Sequence, residues 1–528
     1  MPRYRLSQGK KYVFIDTPYW NAEKHRGEHK HRYIGKIVEG QFVPNGKYLL
    51  SLEKSGTVKP GPVPVTECKR QFYGATYLLD QIGDKLGIVD DLKASFPDKY
   101  KQLLSLAYFF VLEEGMSAYR LRKWSLTHKH PYGRDIPSQR ISELMGSIDE
   151  ASKMNFFRRQ ARRRAEKEFL AFDTTSISSY SELIKFAKYG KNKEGDHLPQ
   201  INLALLYGEV SRLPVYFRTL IGNTADVSLI RNLMLDIDFL DMKKLSFVMD
   251  RGFYNEKNIN DLMKHYHKFL IGIRCGLKIA RKHLDEARVE KLISWENYND
   301  DVGLYAMSFT DEWNYREEQP RTGKCICDKR RVYVHVYFND QRCTDERLNF
   351  AKYLTCLQDE LKSGKKAEGH LRDYDKYFVV SETPKKGLHI VPNGDAIREH
   401  QRDFGYFVLL SNGVKDPEEA IKLYRVRDLV EKAFANMKER LDMRRMSVSS
   451  SENFEGKLFV QFLALIYLSY IKKQMDENGL YKKYTMQTLP DDLDIIELYQ
   501  QPGKAHHLSE ITKKQMALYD AMGVVIPK

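Results

Sequence analysis

Cysteine is scarce: six residues among 528 are too few for a disulfide scaffold, so reduced thiols are expected. The N-terminal stretch MPRYRLSQGKKYVFIDT lacks the apolar core of a secretion signal. The most apolar segment, Leu458 to Ile471 (LFVQFLALIYLSYI), is shorter than the roughly 20 residues a membrane-spanning helix needs. It reads as a buried helix, and the protein as cytoplasmic with no membrane partner. No internal repeat or low-complexity tract is found.

What the chain has is charge. Apolar residues make up 42% and charged residues 30%, enough for buried cores and a soluble surface, which excludes a wholly disordered or collagen-like protein. Lys plus Arg number 86 against 71 Asp plus Glu, a net charge of +15. Such a balance suits a polyanionic partner, nucleic acid or an acidic membrane surface.

Composition shifts along the chain divide it into six segments. Residues 1–67 hold short β-prone runs (KYVFIDT, HRYIGKIV, KYLLSLE) and close at the Pro/Gly-rich VKPGPVP, predicting a β-rich N-terminal unit. Residues 68–146 turn helical, and IPSQRISELMG within them reads equally as a DNA-contacting helix or an ordinary one. Residues 147–274 open with NFFRRQARRRAEKEF. Its Arg158, Arg159, Arg162, Arg163, Arg164 and Lys167, with so little acid nearby, favour phosphate contact over a merely solvated face.

From Phe169 the texture becomes α/β. Strands FLAFD, INLALLYGEV and PVYFRTLIG, joined by short links, read as a meander, followed by helix, strand, helix and strand to FLIGIR. Residues 275–402 are irregular and read as a β-rich insertion splitting one α/β domain. Residues 403–475 resume with the strand GYFVLLS and a long helix from about Pro417 to Met443, leaving 476–528 as a C-terminal segment.

Two aspartates stand beyond apolar strands: Asp173 after FLAF and Asp250 after LSFVM. Open α/β sheets place ligands at the carboxyl ends of their strands, although a lone strand-end Asp more often caps a turn. The long helix changes the balance. At about 100° per residue, with Arg427 at zero, Glu431 falls at about 40°, Lys438 at about 20° and Tyr424 at about 60°. One narrow stripe holds all four, bordering the core face marked by Leu423, Val430, Phe434 and Leu441. Three carboxylates on separate elements suit hard divalent cations, Mg²⁺ or Mn²⁺. Two such ions about 4 Å apart clamp the entering and leaving oxygens of an in-line phosphoryl displacement.

The helix text YRVRDLVEKAFANMK carries the Y-(2)-R-(3)-E-(6)-K signature, and AFDTTSISSY, FRTLIGNTAD and VMDRGFY precede it in order. In these blocks the chain resembles the DDE transposases of bacterial insertion sequences, the insertion-sequence-four group and its relatives, over about residues 169–475. The opening KYVFIDT…RYIGKI also resembles that of the group's larger members. The resemblance implies an α/β fold, a ribonuclease H-like core interrupted by a β-rich insertion. It implies Asp173, Asp250 and Glu431 as catalytic, metal-binding triad with two Mg²⁺ (or Mn²⁺) ions. Tyr424, Arg427 and Lys438 then contact phosphates beside the scissile bond, a role their charge and position independently allow.

The implied activity is cut-and-paste transposition: cleavage at mobile-element ends, a hairpin intermediate and strand transfer into target DNA. The implied partners are double-stranded DNA and a second copy of the chain in the synaptic complex, at the nucleoid. Hairpin formation needs an extruded base, which an aromatic platform can stabilise. Relatives carry a tryptophan for this in the insertion. Of Trp295 and Trp313, the latter has charged neighbours in FTDEWNYRE and is the expected exposed ring, against the plainer reading of core packing.

Two further function classes compete: a catalytically inactive DNA-binding relative, against which the intact Asp173, Asp250 and Glu431 set argues, and a metal-dependent nuclease without strand transfer, which nothing in the sequence rules out. Cys325, Cys327, His335, Cys343 and Cys356 lack the paired C-x₂₋₄-C spacing of structural zinc, so zinc is not expected. His25, His29, His31, His128 and His130 read as surface or phosphate-facing groups.

Overall fold

A computed structural model describes residues 2–7, 10–21, 24–38, 41–54, 69–164, 168–181, 183–190, 198–223, 226–240, 242, 244–318, 325–383, 387–441, 445–446, 448, 450–501 and 505–528. The expected linker at 58–64, Lys167 and the expected helix end at Met443 lie outside them. The chain forms two compact units, residues 1–70 with 499–507 and residues 71–498 with 508–528.

In the first unit, strands β1 (Pro2–Ser7), β2 (Lys10–Asn21), β3 (Arg26–Val38) and β4 (Gln41–Pro44) form an antiparallel sheet in that order. The run KYLLSLE, expected as a strand, lies in helix α1 (Gly46–Lys54); it carries Leu at successive positions with no period-2 alternation, and Leu and Lys favour helix. His25, His29 and His31 are exposed, the last two facing Asp16.

Strand β5 (Lys69–Phe72) leads in sequence to the helices α2 (Gly74–Lys85), α3 (Ile88–Ser95), α4 (Tyr100–Leu112), α5 (Leu121–Thr127), α6 (Ser138–Gly146) and α7 (Glu150–Arg164). A ten-stranded mixed sheet follows, built from β6 (Phe169–Ser179), β7 (Gln200–Gly208), β8 (Pro214–Ile221), β9 (Ser246–Met249), β10 (Lys268–Ile273), β11 (Tyr298–Asn299), β12 (Leu304–Glu318), β13 (Cys325–Phe338), β16 (Tyr406–Ser411) and β17 (Arg445–Met446). Its order is β11-β12-β13-β16-β10-β9-β6-β7-β8, with β17 beside β6. β6, β7 and β8 run antiparallel, whereas β9 and β10 continue parallel to β6. The meander is therefore present, but residues 180–199 separate β6 from β7, so that link is long.

Helices α8 (Asp226–Phe239) and α9 (Glu256–Lys264) make the two crossovers that parallel strands require. Between β10 and β16 the expected β-rich insertion is mixed. Its hairpin β12–β13 joins the main sheet through β16. It also holds α10 (Lys278–Val289), the 24-residue α11 (Asp340–Ser363), α12 (Leu371–Tyr377), the hairpin β14 (Phe378–Thr383) with β15 (Gly387–Pro392), and α13 (Gly394–Gln401). Phe350, Leu357, Leu361, Tyr374, Tyr377 and Phe378 give these helices a small core of their own. The sequence hid α11 because its apolar positions are sparse among charged ones.

The long helix divides into α14 (Pro417–Arg425) and α15 (Arg427–Glu439). Asp416 caps its start by accepting from Glu419 N, with Pro417 in the first turn. At the division Val426 N bonds Leu423 O and Leu429 N bonds Val426 O, a tightening to i→i+3 pairing that leaves Tyr424 and Arg427 neighbours.

The apolar segment at 458–471 lies in α16 (Ser451–Glu477), buried throughout that stretch. By length and composition α16 resembles a membrane span, but 94% of its apolar window is covered by the fold itself. Phe459 and Phe462 meet Phe157 of α7 edge-on, and Phe157 also meets Tyr216 and Phe217 of β8. Helices and sheet thus share one core. At Gly456 a Cβ would stand 2.0 Å from the Met145 carbonyl oxygen, so glycine lets α6 lie directly on α16. Ile141, Leu144 and Met145 of α6 are buried, while Gln139, Arg140 and Glu143 are exposed, an arrangement that fits both readings of this helix. His128 and His130, expected at the surface, are buried. One bonds Asp494 through Nε2 at 2.8 Å and the other Ser105 Oγ through Nδ1 at 2.9 Å.

Candidate active site

Strand pairing brings the two aspartates together. β6 and β9 run parallel with Phe172 opposite Met249, so Asp173 and Asp250 are the next residue on each strand. Asp173 does not end its strand, as expected from FLAF; β6 continues to Ser179, held by β7 and then by β17. Asp250 does leave the sheet, into a turn closed by Phe253 N bonding its carbonyl. Both carboxylates are half-buried.

The helix pair supplies the rest. Val430, Ala433, Phe434 and Met437 of α15 are buried, and α15 packs on β6. Arg427 therefore points to the end of β9. Its Nη1 lies 2.6 Å from Asp250 Oδ1 and its Nη2 3.2 Å from Glu431 Oε1. The Tyr424 hydroxyl donates to Asp250 Oδ1 at 3.1 Å and accepts from Arg427 Nη1 at 3.3 Å. Lys438 is half-buried two turns beyond Glu431 on the same helix.

Charge follows this geometry. Burial opposes the Arg427 charge, but Tyr424, Asp250, Glu431 and Asp173 outweigh it and hold the guanidinium above its ordinary value. Burial, and then the Asp250 carboxylate, push the Tyr424 phenol upward, so it keeps its proton and remains a donor. Arg427 Nε is buried without an acceptor among the described residues, a donor left available for an oxygen ligand. Three carboxylates supply the hard oxygen donors that Mg²⁺ or Mn²⁺ takes. Among the described residues, no three acidic, His or Cys side chains are gathered tightly enough to hold a metal ion; Arg427 stands among the carboxylates instead.

Beside Asp250, Tyr424 and Arg427 opens a cleft of about 780 Å³ lined also by Arg251, Arg274 and Arg342. Arg251 and Arg274 are exposed. The sequence reading missed them. Arg251 had a signal, its place next to Asp250, but Arg274 comes near only because β10 lies beside β9.

Other expected site residues are placed elsewhere. In α7, Arg159 and Arg162 are exposed. Arg158 donates to the Phe239 carbonyl at 2.8 Å. Arg163 makes a two-pronged pair with Asp91, at 2.8 Å on each arm, and the Asp91 side chain is 2% exposed. That acid needs a counter-charge, so Arg163 is committed to Asp91 although its side chain stays 43% exposed. Trp313 is also corrected: it is 8% exposed and donates through Nε1 to Asn260. Along β12 the buried Trp313 and Tyr315 alternate with exposed Glu312, Asn314 and Arg316, so the charged neighbours lie on the opposite face. Trp295 is the exposed ring, at 83%. Cys325 and Cys327 are exposed with Sγ atoms 3.6 Å apart, whereas His335 is fully buried and bonds the Val414 carbonyl.

No curated protein matches the chain. Among solved structures it is similar to a piggyBac transposase synaptic complex with hairpin DNA, at 11% identity over 79% of this chain and 70% of that one, with a TM-score of 0.34. The transposase DDE domain family matches residues 164–467, more than half of the chain and every residue from the first aspartate to the glutamate on α15. The chain belongs to the transposase DDE domain family.

Proposed function

We propose that this DNA transposase cuts mobile-element ends and joins them to target DNA at a site built on Asp173, Asp250 and Glu431. The observation that carries the reading is that Asp173 and Asp250 lie on neighbouring parallel strands and Arg427 of one helix lies 2.6 Å from Asp250 and 3.2 Å from Glu431. The antiparallel β6–β7–β8 followed by parallel β9 and β10 supports a ribonuclease H-like core. The Y-(2)-R-(3)-E-(6)-K spacing supports the insertion-sequence-four group.

Asp173, Asp250 and Glu431 would hold the divalent cations, two per site, with Arg427 giving up its contacts to Asp250 and Glu431 as the carboxylates close on the ions. When bound, such ions supply Lewis-acid stabilisation to the charge that develops on the displaced phosphate oxygens. The protein's own groups do the remaining work. Arg427 offers its unpaired Nε–H to a phosphate oxygen, a charge-assisted contact beside the reacting phosphorus. Tyr424 holds Asp250 through its protonated hydroxyl. Lys438, Arg159 and Arg162 add phosphate contacts that position the duplex without reading its sequence. The cut-and-paste route through a hairpin, a homodimer bridging two ends, and a nucleoid location belong to the same reading.

The test is incubation of the full chain with Mg²⁺ and DNA carrying the ends that flank its gene. Double-strand cleavage at those ends followed by joining supports the proposal. Cleavage without joining would assign a nuclease, and binding without cleavage an inactive relative.

A further inference from the structure

We infer that Gly272 is a positioning residue for the cleavage site: its missing side chain leaves the space through which the Tyr424 hydroxyl reaches Asp250. This rests on the reading of Asp250 as a site carboxylate. Gly272 sits in β10, an interior strand paired with β9 on one side and β16 on the other. Glycine is a poor choice there, since it loses more backbone freedom than other residues and packs nothing. Its backbone does not call for it either, because Gly272 is absent from the glycines with positive φ. Space does call for it. A Cβ at 272 would stand 2.7 Å from Tyr424 Oη, well inside contact distance.

The neighbours leave little room for adjustment. Ala420, Ile421 and Leu423 are buried and fix α14, so the displacement falls on the Tyr424 ring. That ring is held by one hydroxyl that donates to Asp250 and accepts from Arg427. Pushing the oxygen away from β10 lengthens the bond to Asp250 and loosens the link between the strand end and the helix. After the hydroxyl, the next atom a Cβ would meet is Arg251 N at 3.2 Å. The Tyr424 oxygen is therefore the main obstacle, and it can be removed by itself.

The experiment is a double-mutant cycle on the full chain with Gly272→Ala, Tyr424→Phe and the pair, reading single-turnover nicking of its DNA ends and the thermal midpoint of each protein. Loss of one hydrogen bond to a charged group predicts nicking slower by roughly 10- to 100-fold for each single variant. The pair should be no slower than Tyr424→Phe alone, because the phenyl ring lacks the oxygen that the added methyl group displaces. A Gly272→Ala chain that fails to fold while the pair folds would also support the inference. Slow Tyr424→Phe with normal Gly272→Ala would overturn it, as would a second, equal loss in the pair, or failure of both glycine variants to fold. Normal nicking by Tyr424→Phe would instead remove Tyr424 from the site and the inference with it.

Discussion

Replacing Arg427 by Met keeps much of the side-chain length and removes the cation that stands among three carboxylates. A hydrogen bond to a charged group contributes about 1.5–3 kcal/mol. The Asp250 contact is short at 2.6 Å and the Arg427 side chain is 20% exposed, but Glu431 is 55% exposed, so its pair contributes less than about 1 kcal/mol. The expected loss is roughly 2–3 kcal/mol without divalent cation. At somewhat under the 2–4 °C per kcal/mol typical of mid-sized domains, the thermal midpoint should fall by roughly 3–6 °C. Saturating Mg²⁺ should reverse this. A ligand at about 100 times its Kd stabilises by about 2.7 kcal/mol, and in the variant no guanidinium competes for Asp250. The assay is thermal unfolding of both proteins with and without Mg²⁺. A midpoint equal to wild type without the ion, or an equal Mg²⁺ shift in both, would refute Arg427 as the internal counter-ion of the site.

Asp173→Ala, Asp250→Ala and Glu431→Ala should each abolish cleavage while electrophoretic mobility shifts show near-normal DNA binding, because affinity comes from many phosphate contacts; substantial cleavage by one variant removes that residue from the triad. Arg159→Gln with Arg162→Gln should lower the log–log salt slope of DNA binding by about 0.9 per residue, whereas Arg163→Gln should lower thermal stability, since it strips Asp91 of its partner. Trp313→Ala should cost about 3–5 kcal/mol of stability in denaturant titration, and Trp295→Ala should leave stability unchanged. Acid should destabilise the fold. Burial lowers His130, His267 and His335 to about 4, so between the unfolded value near 6.5 and 4 the unfolded chain binds more protons. Each of the three then removes about 1.4 kcal/mol per pH unit as pH falls. Asp80, raised to about 6 by burial, opposes them in that window; a stability that rose on acidification from pH 6.5 to 5 would contradict this assignment.

The sequence by itself determined the local features whose signals need only neighbours in the chain. An apolar run too short to span a membrane marked α16 as buried, Pro417 marked the start of α14, and the Tyr424, Arg427, Glu431 and Lys438 spacings placed one stripe on one helix. Runs of apolar residues located the strands that carry Asp173 and lead to Asp250. Only the tertiary structure decided the rest, because burial, pairing and counter-charge depend on residues distant in sequence. Arg163 looked like its helix neighbours until Asp91, 72 positions away, was brought against it. Trp313 looked exposed until the register of β12 showed its charges on the other face. The insertion looked β-rich until α11 folded over its own small core. And the catalytic candidates became a site only when parallel pairing of β6 with β9 set Asp173 beside Asp250 and the packing of α15 carried Arg427 to Asp250.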